Sequence, residues 1–126
     1  MKQIIFSDAA PKAVGPYSQA VRTGNLLFIS GQLPLNPASM KIEAETVAAQ
    51  TEQVFANLKA ILNQAGLGFE HLVKTTVLLA DIRDFAAVNE VYARYFAGDF
   101  PARAAYQVAA LPLGAMVEIE SIASFE

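Results

Sequence analysis

One long amphipathic stretch constrains this chain more than any other pattern: it opens at Glu45 or Thr46 and stops at Gly66. Val47, Thr51, Val54, Phe55, Leu58, Ile61 and Leu62 recur at helical spacing, while Gln50, Glu52, Gln53, Asn57 and Lys59 fall mostly off the stripe. A helix with one such apolar stripe must lie against an apolar surface, and the rest of the chain offers strands to build it. Ile4 to Phe6 reads as a short strand, and Ser7 to Pro16 as a loop closed by Tyr17. Ser18 to Arg22 and Leu26 to Ser30 read as a hairpin, with Gly24 and Asn25 supplying the positive φ angles of a tight turn.

Gly31 to Ser39, interrupted by Pro34 and Pro37, reads as a loop directly after Ser30, a place where ligand contacts are common. Leu72 to Ala80 is rich in threonine and valine, as a strand requires. Asp84 has the chemistry of an N-cap for a second helix, striped by Phe85, Val88, Val91, Tyr92, Tyr95 and Phe96 and ended by Gly98. Arg103 to Ala109 and Met116 to Phe125 complete the strands, joined through Leu111-Pro112-Leu113-Gly114. The order β-β-β-α-β-α-β-β, without repeated βα alternation, predicts an α+β fold: a mixed sheet with both helices on one face. One domain is expected over residues 1–126, with the other sheet face covered by identical subunits in a ring.

Composition supports that expectation. Hydrophobic residues make up 54% and charged residues only 17% of the 126, against about 25% charged in an average soluble domain. No run approaches the roughly 18 uncharged apolar residues of a membrane helix, and the N-terminal segment has no long apolar stretch with a cleavage site, so a cytoplasmic protein is expected. Without cysteine, thiolate chemistry and Cys-based metal sites are excluded, and the single histidine, His71, removes any multi-histidine site. His71 reads as a solvated turn residue. The net charge of −3 and scattered basic residues argue against nucleic acid, and no glycine pattern fits a nucleotide cradle.

Against this background the C-terminal quarter stands out. Arg103 is the only charge from Phe100 to Gln107, and strand alternation puts Met116, Glu118, Glu120 and Ile122 on one face. A guanidinium can grip a carboxylate through two parallel N–H bonds, and a glutamate between apolar neighbours is expected to be partly buried, with a raised pKa suited to acid–base work. A solvated face, or neutralisation of Arg103 by one of the acids, is the plainer alternative. Tyr17 fits a core aromatic as well as a binding residue, and Asn89 fits a polar neighbour facing solvent.

Four segments then carry a likeness: Gly15-Pro16-Tyr17-Ser18-Gln19-Ala20, Phe28-Ile29-Ser30-Gly31-Gln32, Pro101-Ala102-Arg103 and Val117-Glu118-Ile119-Glu120. In order and spacing they resemble the RidA (formerly YjgF) reactive intermediate deaminases over essentially the whole chain. The resemblance implies a chorismate-mutase-like homotrimer with clefts between subunits. It implies cofactor-free, metal-free hydrolysis of 2-aminoacrylate and 2-aminocrotonate, enamine/imine intermediates, to 2-keto acids and ammonia. Arg103 would hold the carboxylate and Glu120 the attacking water, while Tyr17, Ser30, the backbone of Gly31 and Asn89 shape the pocket. Ala105 stands where many members have cysteine, so it would offer backbone contacts only. The rival readings are a 2-keto-acid sensor without turnover, a ribonuclease or translation inhibitor, and a chaperone-like module.

Overall fold

In the computed structural model, which describes residues 1–126, a six-stranded sheet runs in the order β1-β2-β3-β6-β4-β5. The strands are β1 (Gln3–Ile5), β2 (Ala20–Thr23), β3 (Leu26–Gln32), β4 (Leu72–Leu79), β5 (Ala102–Gln107) and β6 (Val117–Ser124), with helices α1 (Val47–Gln64) and α2 (Phe85–Ala93). All neighbours are antiparallel except β4 and β5, which α2 connects in parallel. The expected element order and the mixed α+β sheet are therefore observed.

Local chemistry explains the boundaries. Thr46 caps α1 by accepting a hydrogen bond from the Ala49 amide, and Gly66 ends it with a left-handed φ of 78°. At α2 the expected cap moves: Asp84 makes no side-chain capping bond, whereas Asp81 accepts from the Arg83 amide at the head of a preceding 3₁₀ turn, Ile82–Asp84. The helix also ends at Ala93 rather than near Gly98, because the amides of Arg94, Tyr95 and Phe96 bond three residues back instead of four. In the β2–β3 turn only Gly24 takes a positive φ (57°); Asn25 does not.

Both helices cover one sheet face. Val54, Phe55, Leu58, Ile61 and Leu62 of α1 meet Leu27 and Ile29 of β3, Val77 and Leu79 of β4, and Val117, Ile119 and Ala123 of β6 in one core. Phe55 lies at its centre, stacked on Tyr95 at 4.3 Å and edge-on to Tyr92 and Phe69. Gln50 and Asn57, expected off the buried stripe, are almost fully buried. Each satisfies loop backbone: Asn57 Nδ2 donates to the Leu33 and Leu35 carbonyls, and Gln50 accepts from the Met116 amide while donating to Ala44.

The face away from the helices has no cover within the chain, and Leu26 and Phe28 are 40% and 43% exposed there. His71 is not simply a solvated turn residue: its Nδ1 accepts the Gly68 amide, closing the 3₁₀ turn Phe69–His71.

Candidate active site

Two bulges on the central strands aim the side chains of this site. Between Ile29 and Gln32, β3 spends one more residue than β6 spends between Ser121 and Ile119. Ser30 and Gly31 form that bulge, so Gly31 lies inside the strand rather than in a following loop as expected. The bulge reverses the alternation: Leu27, Ile29 and then Gln32 face the core. Ser30 Oγ donates to the Ser18 carbonyl (2.6 Å) and its amide to the Gln19 carbonyl (2.9 Å), locking the segment that carries Tyr17 against β3. Gln19 holds the other side of that segment: its buried amide accepts from the Ser7 amide and donates to the carbonyls of Ser7 and Pro11. A second bulge, at Val73 of β4, sends Lys74 and Thr76 to the uncovered face and Thr75 to the core.

The result is an open cavity of about 460 Å³ on the uncovered face, lined by Tyr17, Ser18, Phe28, Ser30, Lys74 and Glu120 among others. Glu118 and Glu120 share this face, as the alternation requires, but they differ in burial. Glu120 is exposed, whereas Glu118 is half-buried. Burial, and secondarily the Glu120 carboxylate, push the Glu118 carboxyl above its ordinary range. The expected partial burial therefore falls on Glu118. Its carboxylate sits beneath Gly31, where a Cβ would overlap Oε2 and displace the side-chain end.

Arg103 is elsewhere. On edge strand β5 it lies in register with Thr75, and like Thr75 it faces the helices. Arg103 Nη1 donates to Asn89 Oδ1 at 2.7 Å, and its guanidinium carbon lies 4.9 Å from the Tyr92 ring centroid and 5.3 Å from that of Phe85. A second cavity, about 350 Å³, opens beside it between Asn89, Tyr92, Ala93, Phe100 and Pro101. Asn89 thus faces Arg103 rather than open solvent. Nε and Nη2 of the guanidinium make no hydrogen bond, which leaves a fork for a carboxylate. Ala105 packs its methyl against the core, and because β5 is an edge its outer backbone groups are open.

The candidate residues thus divide into two groups that one chain does not unite. Tyr17, Ser30, Gly31 and Glu120 belong to the uncovered face, and Arg103, Asn89 and Ala105 to the helix side. The sequence reading missed Lys74, Thr76 and Phe28 on the first group and Phe85 and Tyr92 on the second. The alternation in Lys74-Thr75-Thr76 was a usable signal for the former, once the bulge at Val73 is known.

Comparison with known proteins agrees with this architecture. A family profile described as Endoribonuclease L-PSP matches residues 7–125. Protein DfrA of Myxococcus xanthus is 56% identical over 97% of this chain and 95% of its own length. The 2-iminobutanoate/2-iminopropanoate deaminase of Capra hircus is 54% identical over 98% of this chain and 90% of its own. The crystal structure of RidA from the Antarctic bacterium Psychrobacter superposes with a TM-score of 0.93 at 52% identity, covering 97% of this chain and 98% of that one. On a profile match from Ser7 to Phe125 and these full-length likenesses, the chain belongs to the endoribonuclease L-PSP family, the RidA/YjgF family that its four motifs resemble.

Proposed function

We propose that this protein is a hydrolytic deaminase of small 2-imino acids, working as a homotrimer in which each site joins the Arg103 group of one subunit to the Glu120 group of the next. The observation that carries this reading is the Arg103 guanidinium, held by Asn89 with an open fork and no acidic partner. Such a group is built to receive a carboxylate. The named activity of the Capra hircus relative, and the apolar face that a second copy would cover, support the same reading.

The chemistry asks little beyond orientation. An enamine such as 2-aminocrotonate takes a proton at its β-carbon and becomes the iminium of 2-iminobutanoate. Water adds to the iminium carbon, giving a carbinolamine. A proton moves from oxygen to nitrogen, the C–N bond breaks, and 2-oxobutanoate and ammonia leave. Arg103 fixes the carboxylate, so the neighbouring C=N carbon has one position, and Glu120 accepts the proton of the attacking water. Tyr17 and Ser30 border that water, and the open backbone edge at Ala105 lies beside the carboxylate. No cofactor or metal takes part in these steps, and 2-aminoacrylate follows the same route to pyruvate.

The test couples a PLP-dependent threonine or serine dehydratase to detection of 2-keto acid, with and without this protein. Acceleration that disappears with Arg103→Ala supports the deaminase. Tight 2-oxobutanoate binding without acceleration would instead indicate a sensor. An RNA-cleaving activity, named in the family description, would need a phosphate-binding surface, and the net charge of −3 disfavours one.

A further inference from the structure

Phe85, Asn89 and Tyr92 stand at i, i+4 and i+7 of α2, so the helix presents them as one stripe. All three meet Arg103: the amide oxygen of Asn89 accepts from Nη1, and the two rings lie under the guanidinium. Arg103 also sits beside Thr75 in the β4–β5 register. Thr75 is fully buried, and its hydroxyl is 2.7 Å from the Tyr92 hydroxyl. The strand that carries the neighbour of Arg103 is therefore tied, by one buried hydrogen bond, to the ring on which Arg103 rests.

An exposed arginine on an edge strand would ordinarily sample many rotamers and lose that freedom on gripping a ligand. Here the cradle removes the freedom in advance. Cation–π attraction holds the guanidinium over the rings, Asn89 holds Nη1, and the Thr75–Tyr92 bond ties the cradle to the sheet. Burial raises the Tyr92 phenol, so its hydroxyl stays protonated and able to bond Thr75.

We propose that Tyr92, anchored by Thr75 and assisted by Phe85, is a positioning residue for carboxylate recognition: it pre-sets the Arg103 fork rather than touching substrate. This rests on the proposed role of Arg103 as the carboxylate grip. It separates two contributions within α2's stripe, since the rings hold the guanidinium carbon whereas Asn89 holds Nη1.

A double-mutant cycle tests it, read by calorimetric titration with 2-oxobutanoate and by the dehydratase-coupled assay. Tyr92→Leu and Phe85→Leu should each weaken 2-oxobutanoate binding about 3- to 10-fold, the range of a partly exposed cation–π contact. KM should rise while kcat changes less than about twofold, as expected for lost carboxylate binding. Tyr92→Phe, which keeps the ring but loses the hydroxyl bonded to Thr75, should fall between wild type and Tyr92→Leu. In an Arg103→Ala background the ring substitutions should cost nothing further, whereas a role in general packing would add in both backgrounds. Tyr92 is nearly buried, so if Tyr92→Leu does not fold, the half-buried Phe85 carries the same comparison. Wild-type affinity in folded Phe85→Leu and Tyr92→Leu, additive losses, or a fall in kcat alone would overturn the proposal. If Arg103→Ala itself binds 2-oxobutanoate like wild type, the carboxylate-grip reading fails instead, and the two failures are distinct.

Discussion

The Arg103 guanidinium and the Glu120 carboxylate project from opposite faces of one sheet, on strands β5 and β6 separated only by β4. Within one chain they line two separate cavities. On the proposed reading each face is half of a site: a fork without a carboxylate on one, and a carboxylate beside hydroxyls and an apolar wall on the other.

Removing the fork should affect binding first. Arg103→Ala is expected to lower kcat/KM for 2-iminobutanoate by about 10- to 100-fold, the worth of a charge-assisted bidentate contact. Arg103→Lys should recover only part, since an ammonium lacks the planar fork. Glu120→Gln should lower kcat while leaving 2-oxobutanoate affinity within a few-fold of wild type. The dehydratase-coupled assay and calorimetry separate the two patterns.

Subunit mixing examines the composite site directly. Arg103→Ala and Glu120→Gln assemblies should each keep only a small fraction of the wild-type kcat/KM. After co-refolding in equal amounts, about a quarter of the sites should hold both native residues by statistics of a cyclic assembly. Activity well above either parent supports sites shared between subunits; none would place both groups' roles within one chain.

Glu118 makes stability depend on pH. Its folded pKa lies above the ordinary value of 4.5 because burial disfavours the charge, so between those two values the folded chain holds more protons than the unfolded one. Stability conferred by the protonated acid is thus present at low pH and lost as pH rises through the folded value. Glu118→Gln should raise Tm at neutral pH and flatten its dependence between pH 4.5 and neutrality, as thermal scans across that window would register. An unchanged slope would mean that Glu118 is solvated in the assembled protein.

Asn57 should be costly to remove despite its polar chemistry. Asn57→Ala orphans the Leu33 and Leu35 carbonyls beneath the loop after β3, and about 2–3 kcal/mol of unfolding free energy should be lost. Thr46→Ala, which removes the α1 cap, should cost about 1 kcal/mol. Chemical denaturation of the two variants gives the comparison. Equal losses would indicate that water replaces the amide of Asn57.

Element order, the face alternation of β6 and the stripe of α1 were legible in the sequence because each depends on residues a few positions apart. Period-two alternation put Glu118 and Glu120 together, and Gly66 marked the end of α1, by geometry that any isolated strand or helix obeys. The pattern could not report the extra residue at Ser30–Gly31, because a bulge exists only relative to the partner strand, and it turned an expected loop into a strand end. Likewise Gln50 and Asn57 look like solvent-facing residues until distant loop carbonyls need their amides. The side to which Arg103 points was decided last, by parallel pairing of β5 with β4 and by the α2 stripe above it. Local periodicity determined which residues could form each element; long-range pairing decided which of them meet, because backbone register and buried hydrogen-bond demand arise only when the strands and helices are assembled.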